Sequence, residues 1–198
     1  MIGPKSSLAD VAFAVCTALD RAGFTVVLTG GSAATFYAPE AYQSKDLDFV
    51  ITLKGTAGEA ALESIGFKRK GQFYVNEGLP FSLDFPPGPL GIGADLITSW
   101  NTVQRNREIL RVLSPTDSCR DRLASFLFWN DFSGLEQAIA VFQARRNEID
   151  LNKIEEWCRR EGHQEKFATF AARLSRVAVR PQGAPSRKVR KPHRRKQR

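Results

Sequence analysis

Residues 24–49 read FTVVLTGGSAATFYAPEAYQSKDLDF, and the organisation of the chain can be worked out from this segment. Phe24 to Thr29 is apolar on both faces and rich in β-branched residues, which predicts a strand buried within a covered sheet. Gly30 to Ser32 predicts a tight turn, and Ala33 to Ala38 predicts a short helix closed by a proline. The predicted order is therefore strand, glycine turn, helix.

A pair of acids opens the strand predicted next, in which apolar and polar residues alternate from Asp46 to Leu53. Asp46 and Asp48 are two residues apart, so their side chains should leave one face of the strand about 6.5–7 Å apart. Asp84 lies in a later predicted strand, between two apolar neighbours. If the two strands pair, three carboxylates meet on one surface, an arrangement that suits Mg²⁺ and phosphoryl or nucleotidyl transfer.

The glycine turn has a second possible use besides turning the chain. Gly30 and Gly31 would let a ligand approach the backbone, and the N-terminus of the following helix would favour phosphate. Neither signal is specific alone. A Gly-Gly-Ser sequence is more often just a tight turn, and two acids on a strand more often lie at a solvated edge.

Taken together, the features form a pattern: an apolar strand, Gly-Gly-Ser, thirteen residues, Asp-Leu-Asp-Phe, and Leu-Asp-Phe in a later strand. This pattern resembles the nucleotidyltransferase superfamily that includes DNA polymerase β-like enzymes. Within it, the chain looks most like small bacterial proteins related to abortive-infection toxin nucleotidyltransferases. The resemblance runs from about Thr25 to Gly162, and its second half rests on Ser114 to Gln137.

The resemblance implies roles for particular residues. The implied catalytic and metal-binding residues are Asp46, Asp48 and Asp84, and the implied nucleotide-binding residues are Gly30, Gly31, Ser32 and Arg122. The acids would hold Mg²⁺ in a two-metal site, and Asp84 would also act on the acceptor hydroxyl. Arg122 stands where related proteins usually carry a lysine that contacts phosphates, and Asp131 matches an acid one helix-length further on. The alternative for both is an ordinary surface helix with capping and solvated charges.

The fold class predicted is α/β of the α+β kind, in three parts. Residues 1–113 form a nucleotidyltransferase-like domain with a mixed sheet and flanking helices, residues 114–178 a helical bundle, and residues 179–198 a basic disordered tail. Further strands are predicted over Phe67 to Val75 and Phe81 to Phe85. Helices are predicted from residue 8 after the Ser7 cap, over residues 57–65, and over residues 115–130, 133–146, 150–161 and 163–177.

Charge is unevenly distributed, although the formal total is +8. Residues 173–198 contain eleven Lys and Arg and no acid, whereas the preceding residues contain 18 basic and 21 acidic side chains. The body is therefore mildly acidic, and at 42% hydrophobic with 14 Phe it can bury a core. The tail is either a salt-dependent contact to nucleic acid or a solubilising extension.

The apolar stretches are far shorter than the roughly 18–20 residues that span a bilayer, and no signal peptide is evident, so we expect no membrane partner. Three isolated cysteines, none in a C-x-x-C motif, indicate a reduced, cytoplasmic protein without a structural zinc. Neither histidine is placed for metal or acid–base chemistry.

The sequence therefore predicts a Mg²⁺-dependent nucleotidyltransferase that moves a nucleoside monophosphate from a nucleoside triphosphate to a hydroxyl acceptor. RNA, such as tRNA, and protein both remain open as the acceptor, and a toxin-type enzyme would have an antitoxin partner. The alternative is a nucleotidyltransferase-like fold without turnover that binds nucleic acid or protein. The complete set of three acids favours the enzyme.

Overall fold

The structure is a computed structural model that describes residues 2–55 and 57–178. Within these residues the helices are α1 (Leu8–Arg21), α2 (Gly30–Tyr37), α3 (Gly58–Ser64), α4 (Pro115–Trp129), α5 (Phe132–Ala144), α6 (Leu151–Arg160) and α7 (Gln164–Ala178). The strands are β1 (Thr25–Thr29), β2 (Asp46–Leu53), β3 (Lys68–Lys70), β4 (Phe73–Val75), β5 (Ser82–Asp84), β6 (Gly91–Ile92), β7 (Asp95–Leu96), β8 (Asn101–Arg105) and β9 (Glu108–Val112). The predicted α+β class is confirmed.

The main sheet is mixed and has the strand order β3-β4-β5-β2-β1-β9-β8. β2 runs antiparallel to β1 and parallel to β5, so its first three residues lie beside the end of β1 on one side and the whole of the short β5 on the other. Because α2 starts directly after β1, its N-terminus lies at this same edge of the sheet. The topology thus places the start of α2 next to the acids of β2.

Local signals explain why the flanking helices begin where they do. Ser7 and Asp10 form the predicted capping box of α1, in which each side chain accepts from the backbone N–H of the other. Ser114 caps α4 by accepting from the backbone N–H of Asp117 at 3.1 Å, with Pro115 in the first helical position. These helix starts, and those of the three helices that follow, lie within one residue of their predicted positions.

The helical part packs directly on the sheet part. α2 contacts both α4 and α5, and the Tyr37 hydroxyl donates to the carbonyl oxygen of Leu113 at 2.7 Å. Buried side chains of both parts, including Phe49 of β2 and Trp157 of α6, belong to one continuous hydrophobic core. The division after residue 113 stays a prediction about domains, and the two parts share this core.

Two features of the sheet differ from the sequence-based expectation. The predicted strand from Phe67 to Val75 is a hairpin of β3 and β4, because Gly71 adopts a φ of 65° and turns the chain. The hairpins β6–β7 and β8–β9 lie between the proline-rich segment at residues 86–89 and α4, a region in which no strand was predicted. Asn106 turns the second of these with a φ of 55°, a conformation that Asn tolerates.

No helix among residues 2–55 and 57–178 is long and apolar enough to cross a membrane. Cys16, Cys119 and Cys158 are buried free thiols. The prediction for the basic tail, residues 179–198, lies outside the described residues.

Candidate active site

The three acids singled out in the sequence lie on two neighbouring strands. Asp48 of β2 is in register with Asp84 of β5, and Asp46 is in register with Ser82. The structure thus meets the condition under which the sequence analysis places three carboxylates on one surface. All three acids are half-buried and share one face of the sheet, since partners in register point to the same side and Asp46 is two residues from Asp48.

Gly30 lies against Asp48, and the fold requires a glycine there for two reasons. Its φ is 63°, in the left-handed region that side chains rarely adopt. A Cβ at this position would overlap Oδ2 of Asp48 and lie 3.1 Å from its Cγ. The glycine therefore makes room for the Asp48 carboxylate at the start of α2.

The Gly-Gly-Ser segment is the first turn of α2, whereas the sequence predicts a turn that precedes the helix. The helix begins earlier because Thr29 is already in an extended N-cap conformation and Gly30 turns directly into the helix. Thr29 makes no side-chain cap, so the first amides of α2 are left without that partner. This arrangement retains the helix N-terminus that the phosphate prediction needs.

Ser32 connects α2 to β2, the strand that carries Asp46 and Asp48. Its side chain is fully buried, and its hydroxyl donates to the carbonyl oxygen of Thr29 at 2.7 Å and accepts from the backbone N–H of Asp48 at 3.1 Å. The Thr29 hydroxyl adds a bond to the carbonyl oxygen of Asp48 at 3.3 Å. The Ser32 hydroxyl is thus engaged inside the protein, where it positions Asp48.

The loop between α2 and β2 contributes residues that the sequence analysis did not single out. The Ser44 hydroxyl donates to Oδ1 of Asp46 at 3.1 Å, and the Ser44 backbone N–H donates to Thr35 Oγ1 at 3.0 Å. A Cβ on Gly31 would be 3.3 Å from both Ser44 and Tyr42. The only sequence signal for Ser44 is its place two residues before Asp46.

The electrostatics of the site centre on Asp48, whose pKa is raised to about 6. Burial is the largest cause, followed by repulsion from Asp46, and Asp84 and Asp121 add smaller repulsions. Arg122 acts in the opposite direction and favours the charged form of Asp48. The cluster therefore carries more negative charge than its surroundings stabilise, and a bound cation would relieve this repulsion.

Arg122 reaches the site because α4 packs against α2. Nε and an Nη atom of its guanidinium donate to one oxygen of Asp121, at 3.0 and 2.8 Å. The sequence analysis does not single out Asp121, and the packing of α4 shows that it acts on Asp48. Asp121 and Arg122 thus form an ion pair beside the acids of β2.

Asp131, the acid that the resemblance implies one helix-length after Arg122, lies directly before α5. It caps α5 by accepting from the backbone N–H of Ser133 at 2.9 Å, and its side chain is exposed. The chain folds back after α4, since the Asp131 backbone N–H donates to the carbonyl oxygen of Ser125 at 3.2 Å. Its role in the site, which the resemblance implies, stays a prediction.

The three acids do not form a complete metal-binding site as they stand. Within residues 2–55 and 57–178, no three His, Cys, Asp or Glu side chains lie close enough together to hold a metal ion. Carboxylate oxygens are nevertheless the ligands that Mg²⁺ prefers, and the repulsion at Asp48 favours a cation. The chemistry of the donor set therefore fits a divalent metal.

No protein-family model matches the chain, and no curated protein matches it either. Among solved structures, it is similar to an antigenic nucleotidyltransferase-like protein from Paracoccidioides brasiliensis. That similarity has a TM-score of 0.57 at 17% identity and covers 87% of this chain and 89% of that one. The chain has a nucleotidyltransferase-like fold.

Two further similarities to solved structures are weaker. One is the solution structure of the antibiotic-resistance factor ANT(2'')-Ia, with a TM-score of 0.43, 15% identity, and coverage of 83% of this chain and 91% of that one. The other is the crystal structure of ANT(2'')-Ia in complex with adenylyl-2''-tobramycin, with a TM-score of 0.41, 15% identity, and coverage of 84% and 97%. The fold assignment rests on the first similarity.

Proposed function

We propose that this chain is a nucleotidyltransferase that transfers a nucleoside monophosphate from a nucleoside triphosphate to a hydroxyl group. One observation carries the proposal: Asp46, Asp48 and Asp84 share a face of two neighbouring strands, at the edge where α2 begins. The nucleotidyltransferase-like fold supports it. A concentration of acids beside a helix N-terminus suits a polyphosphate only together with a cation.

Mg²⁺ is the cation proposed, with Asp46, Asp48 and Asp84 as its ligands. A divalent metal in such a site, alone or as a pair, supplies charge neutralisation on the transferred phosphoryl group. The fit rests on oxygen donors and on the raised pKa of Asp48, both of which make a cation favourable. Ser44 and Ser32 would hold Asp46 and the Asp48 backbone in position through the bonds described above.

Groups of the chain itself bind the triphosphate and take up the proton of the acceptor. The free amides at the start of α2 and the glycine backbone bind the triphosphate, and Arg122 adds a positive charge next to Asp48. Asp84 accepts the proton of the acceptor hydroxyl. The acceptor oxygen forms a bond to the α-phosphorus, the bond from that phosphorus to the β-phosphate oxygen breaks, and pyrophosphate leaves.

The acceptor and the biological setting belong to the same proposal. RNA, tRNA included, and protein are the two acceptor classes to compare, because each presents exposed hydroxyl groups. A toxin role would require a cognate antitoxin and a cytoplasmic target. A label-transfer assay with both acceptor classes identifies the acceptor, and the toxin role is a separate question.

The direct test incubates the full-length protein with Mg²⁺, each α-³²P-labelled nucleoside triphosphate, and total RNA or a total protein fraction. We expect label to enter one acceptor class from one or more nucleotides, and γ-³²P label to stay out because it leaves in pyrophosphate. Asp48→Asn should abolish transfer. Glu59→Gln, at an exposed acid of α3, serves as the matched control and should retain it.

A second candidate function is a nucleotidyltransferase-like module that binds nucleic acid or protein without turnover. The observation in its favour is that the carboxylates are not gathered around a single point among the described residues. Calorimetry distinguishes the two candidates. Nucleotide binding that needs no Mg²⁺, with no label transfer to either acceptor class, would favour the binding module over the enzyme.

A further inference from the structure

A cavity of about 510 Å³ lies between β7, the segment that follows β7, α4 and α6. It is lined by residues 94–99 and by Asp117, Arg120 and Lys153. None of the three acids of the proposed active site is among these residues. We call it the α4–α6 cavity. Its volume lies within the range of about 300–1,000 Å³ that is usual for small-molecule sites.

Hydrogen bonds and ion pairs hold the β6–β7 hairpin, which forms one wall of the cavity, in place. The Arg160 guanidinium donates to both carboxylate oxygens of Asp95, each at 2.9 Å. Arg120 pairs with the same carboxylate from α4. At the turn of the hairpin, the Ala94 backbone N–H donates to the Glu161 carboxylate at 2.9 Å. The wall is therefore joined to both helices, and the cavity is formed without an occupant.

The two acids that line the cavity, Asp95 and Asp117, already accept at every carboxylate oxygen. Both oxygens of Asp95 take part in the bonds just described. Oδ1 of Asp117 accepts from Arg120 at 2.9 Å and from Lys153 at 3.4 Å. Oδ2 of Asp117 accepts from the Ser114 hydroxyl at 2.8 Å. The charge of both acids is therefore neutralised within the protein, and neither requires a bound cation.

The cations of the cavity, by contrast, keep donors that the acids do not use. Arg120 is 1% exposed, and its Nε has no hydrogen-bond partner among the described residues. A buried N–H without a partner is unfavourable, so this atom calls for an occupant of the cavity. Lys153 is half-exposed, and its ammonium has three donors, whereas its bond to Asp117 uses one. Thr98 and Ser99 add exposed hydroxyls.

The charge balance of the ion pairs also favours an anion. Three cations are joined to two acids: Arg120, Lys153 and Arg160 to Asp95 and Asp117. Glu161 lies close to this group, but its hydrogen bond among the described residues goes to the hairpin backbone. The ion-pair network therefore carries one positive charge more than its own acids neutralise.

We propose that the α4–α6 cavity binds a phosphate group. The phosphate oxygens accept from Nε of Arg120, from the Lys153 ammonium and from the hydroxyls of Thr98 and Ser99. These donors come from α4, from α6 and from the segment after β7, so they approach the occupant from three sides. That arrangement suits a tetrahedral anion with several acceptor oxygens better than a planar carboxylate, which a single guanidinium binds edge to edge. The site is independent of the proposed reaction, because none of the three acids lines it.

The test follows ¹H–¹⁵N NMR spectra of the full-length protein titrated with sodium phosphate, in EDTA and at constant ionic strength. The side-chain Nε–H of Arg120 gives a resonance of its own and so reports on the proposed contact directly. We expect this resonance and the backbone amides of residues 96–99 to shift together and to saturate with one dissociation constant. A saturable response confined to these groups separates binding in the cavity from diffuse screening of surface charges.

Two variants test the donors, and a third is the control. Lys153→Ala should weaken phosphate binding about 10-fold, the loss of one hydrogen bond to a charged group. Arg120→Lys keeps the charge but lacks Nε, and it should weaken binding as well, as measured at the amides of residues 96–99. Lys5→Ala is the matched control, because it removes the same charge from an exposed lysine that does not line the cavity. It should bind phosphate like wild type.

Adenosine 5′-monophosphate and adenosine distinguish the two sources of a phosphate group. Tighter binding of the nucleotide than of inorganic phosphate, with no shift caused by adenosine, would assign the cavity to a phosphate ester. Tighter binding of inorganic phosphate than of the nucleotide would assign it to the free anion. Asp48→Asn should leave phosphate binding unchanged, whatever the label-transfer assay shows for the proposed reaction.

Four results would overturn the proposal. The first is the lack of a saturable shift of the Arg120 Nε–H resonance in phosphate. The second is an unchanged phosphate affinity in Lys153→Ala. The third is binding of acetate as tight as that of phosphate, which would make the cavity a carboxylate site. The fourth is loss of phosphate binding in Asp48→Asn, which would place the anion at the three acids instead.

Discussion

Asp48 and Asp84 are partners in the register between the parallel strands β2 and β5, so two acids face the same side of the sheet one strand apart. Asp46 adds a third negative charge on that face. Burial, and after it this repulsion, raises the pKa of Asp48 to about 6. Because the arrangement disfavours the ionised form of Asp48, it reduces the stability of the folded protein. Such an arrangement is characteristic of a binding or catalytic site.

The first prediction concerns the pH dependence of stability in EDTA. Because the folded-state pKa of Asp48 lies above 3.8, the folded protein binds more protons than the unfolded chain between about pH 4 and pH 6. The contribution of Asp48 to the free energy of unfolding therefore falls as pH rises through that window. Asp48→Asn should become more stable than wild type as pH rises from about 4 to 7, by on the order of 2 kcal/mol, measured by urea unfolding.

Asp10 provides the control of opposite sign. Hydrogen bonds from Ser7 and then Arg105 lower the pKa of Asp10 below 3.8. Its stabilising contribution is thus present above that pH and lost as pH falls through the lowered pKa. Asp10→Asn should lose stability relative to wild type at neutral pH, and the difference should shrink in acid. If the advantage of Asp48→Asn over wild type instead shrank as the pH was raised, the argument that burial and repulsion raise the pKa of Asp48 would be wrong.

The second prediction concerns Gly30→Ala. An alanine there has both a φ of 63° and a Cβ that overlaps the Asp48 carboxylate. We expect the free energy of unfolding to fall by about 2–4 kcal/mol, combining left-handed strain with the overlap. Label transfer should fall further than the fraction of folded protein accounts for, because Asp48 must move.

Gly71→Ala isolates the backbone effect from the steric one. Gly71 has a φ of 65°, and a Cβ on it would have nothing within 4 Å. This variant should cost only about 1 kcal/mol and leave activity intact. Equal losses of stability in the two variants, with equal activity, would show that Asp48 does not need the space above Gly30.

The third prediction concerns the buried hydroxyl that joins α2 to β2. Ser32→Ala leaves the backbone N–H of Asp48 without its partner, which should reduce the free energy of unfolding by about 1–3 kcal/mol. Ser118→Ala is the matched control, since Ser118 is also fully buried but its hydroxyl has no partner among the described residues. That change should be neutral or slightly stabilising in the same urea titration. A neutral result for Ser32→Ala would contradict the positioning role.

The parts of the fold that could be predicted from the sequence are those set by patterns among residues close together in the chain. The bounds of β2 were predicted correctly because the alternation of apolar and polar residues is visible in DLDFVITL. The starts of α1 and α4 were predicted correctly because each cap involves residues that lie within four positions of one another. The face shared by the three acids was foreseen only under the condition that β2 and β5 pair. That condition depends on long-range pairing, and the structure supplies it.

The remaining parts depend on contacts between distant segments. The contact of Tyr42 with Gly31 needs the loop to fold back over α2, and the influence of Asp121 on Asp48 needs α4 to pack against α2. A continuous strand was predicted across Gly71 because the sequence does not show that this glycine takes the left-handed conformation. In each case the residue type was visible but its environment was not.

The fourth prediction contrasts two arginines of α4. Arg120 is 1% exposed and joins β7 to α4 through ion pairs with Asp117, at 2.9 Å, and Asp95. Arg120→Ala should reduce the free energy of unfolding by about 3–5 kcal/mol, because it leaves Asp117 buried without its main cation. Arg122 is more exposed, pairs with Asp121 and favours the charge on Asp48.

Arg122→Ala should therefore change stability by less than about 1 kcal/mol but reduce label transfer about 100-fold, the loss typical of one charged group that stabilises a transition state. Arg122→Lys should recover part of that activity, because it keeps the charge but loses the planar donor geometry. Urea unfolding and initial rates with a single nucleotide measure both quantities on the same samples. Full activity in Arg122→Ala would remove this residue from the site, whereas a large loss of stability would assign it the structural role of Arg120.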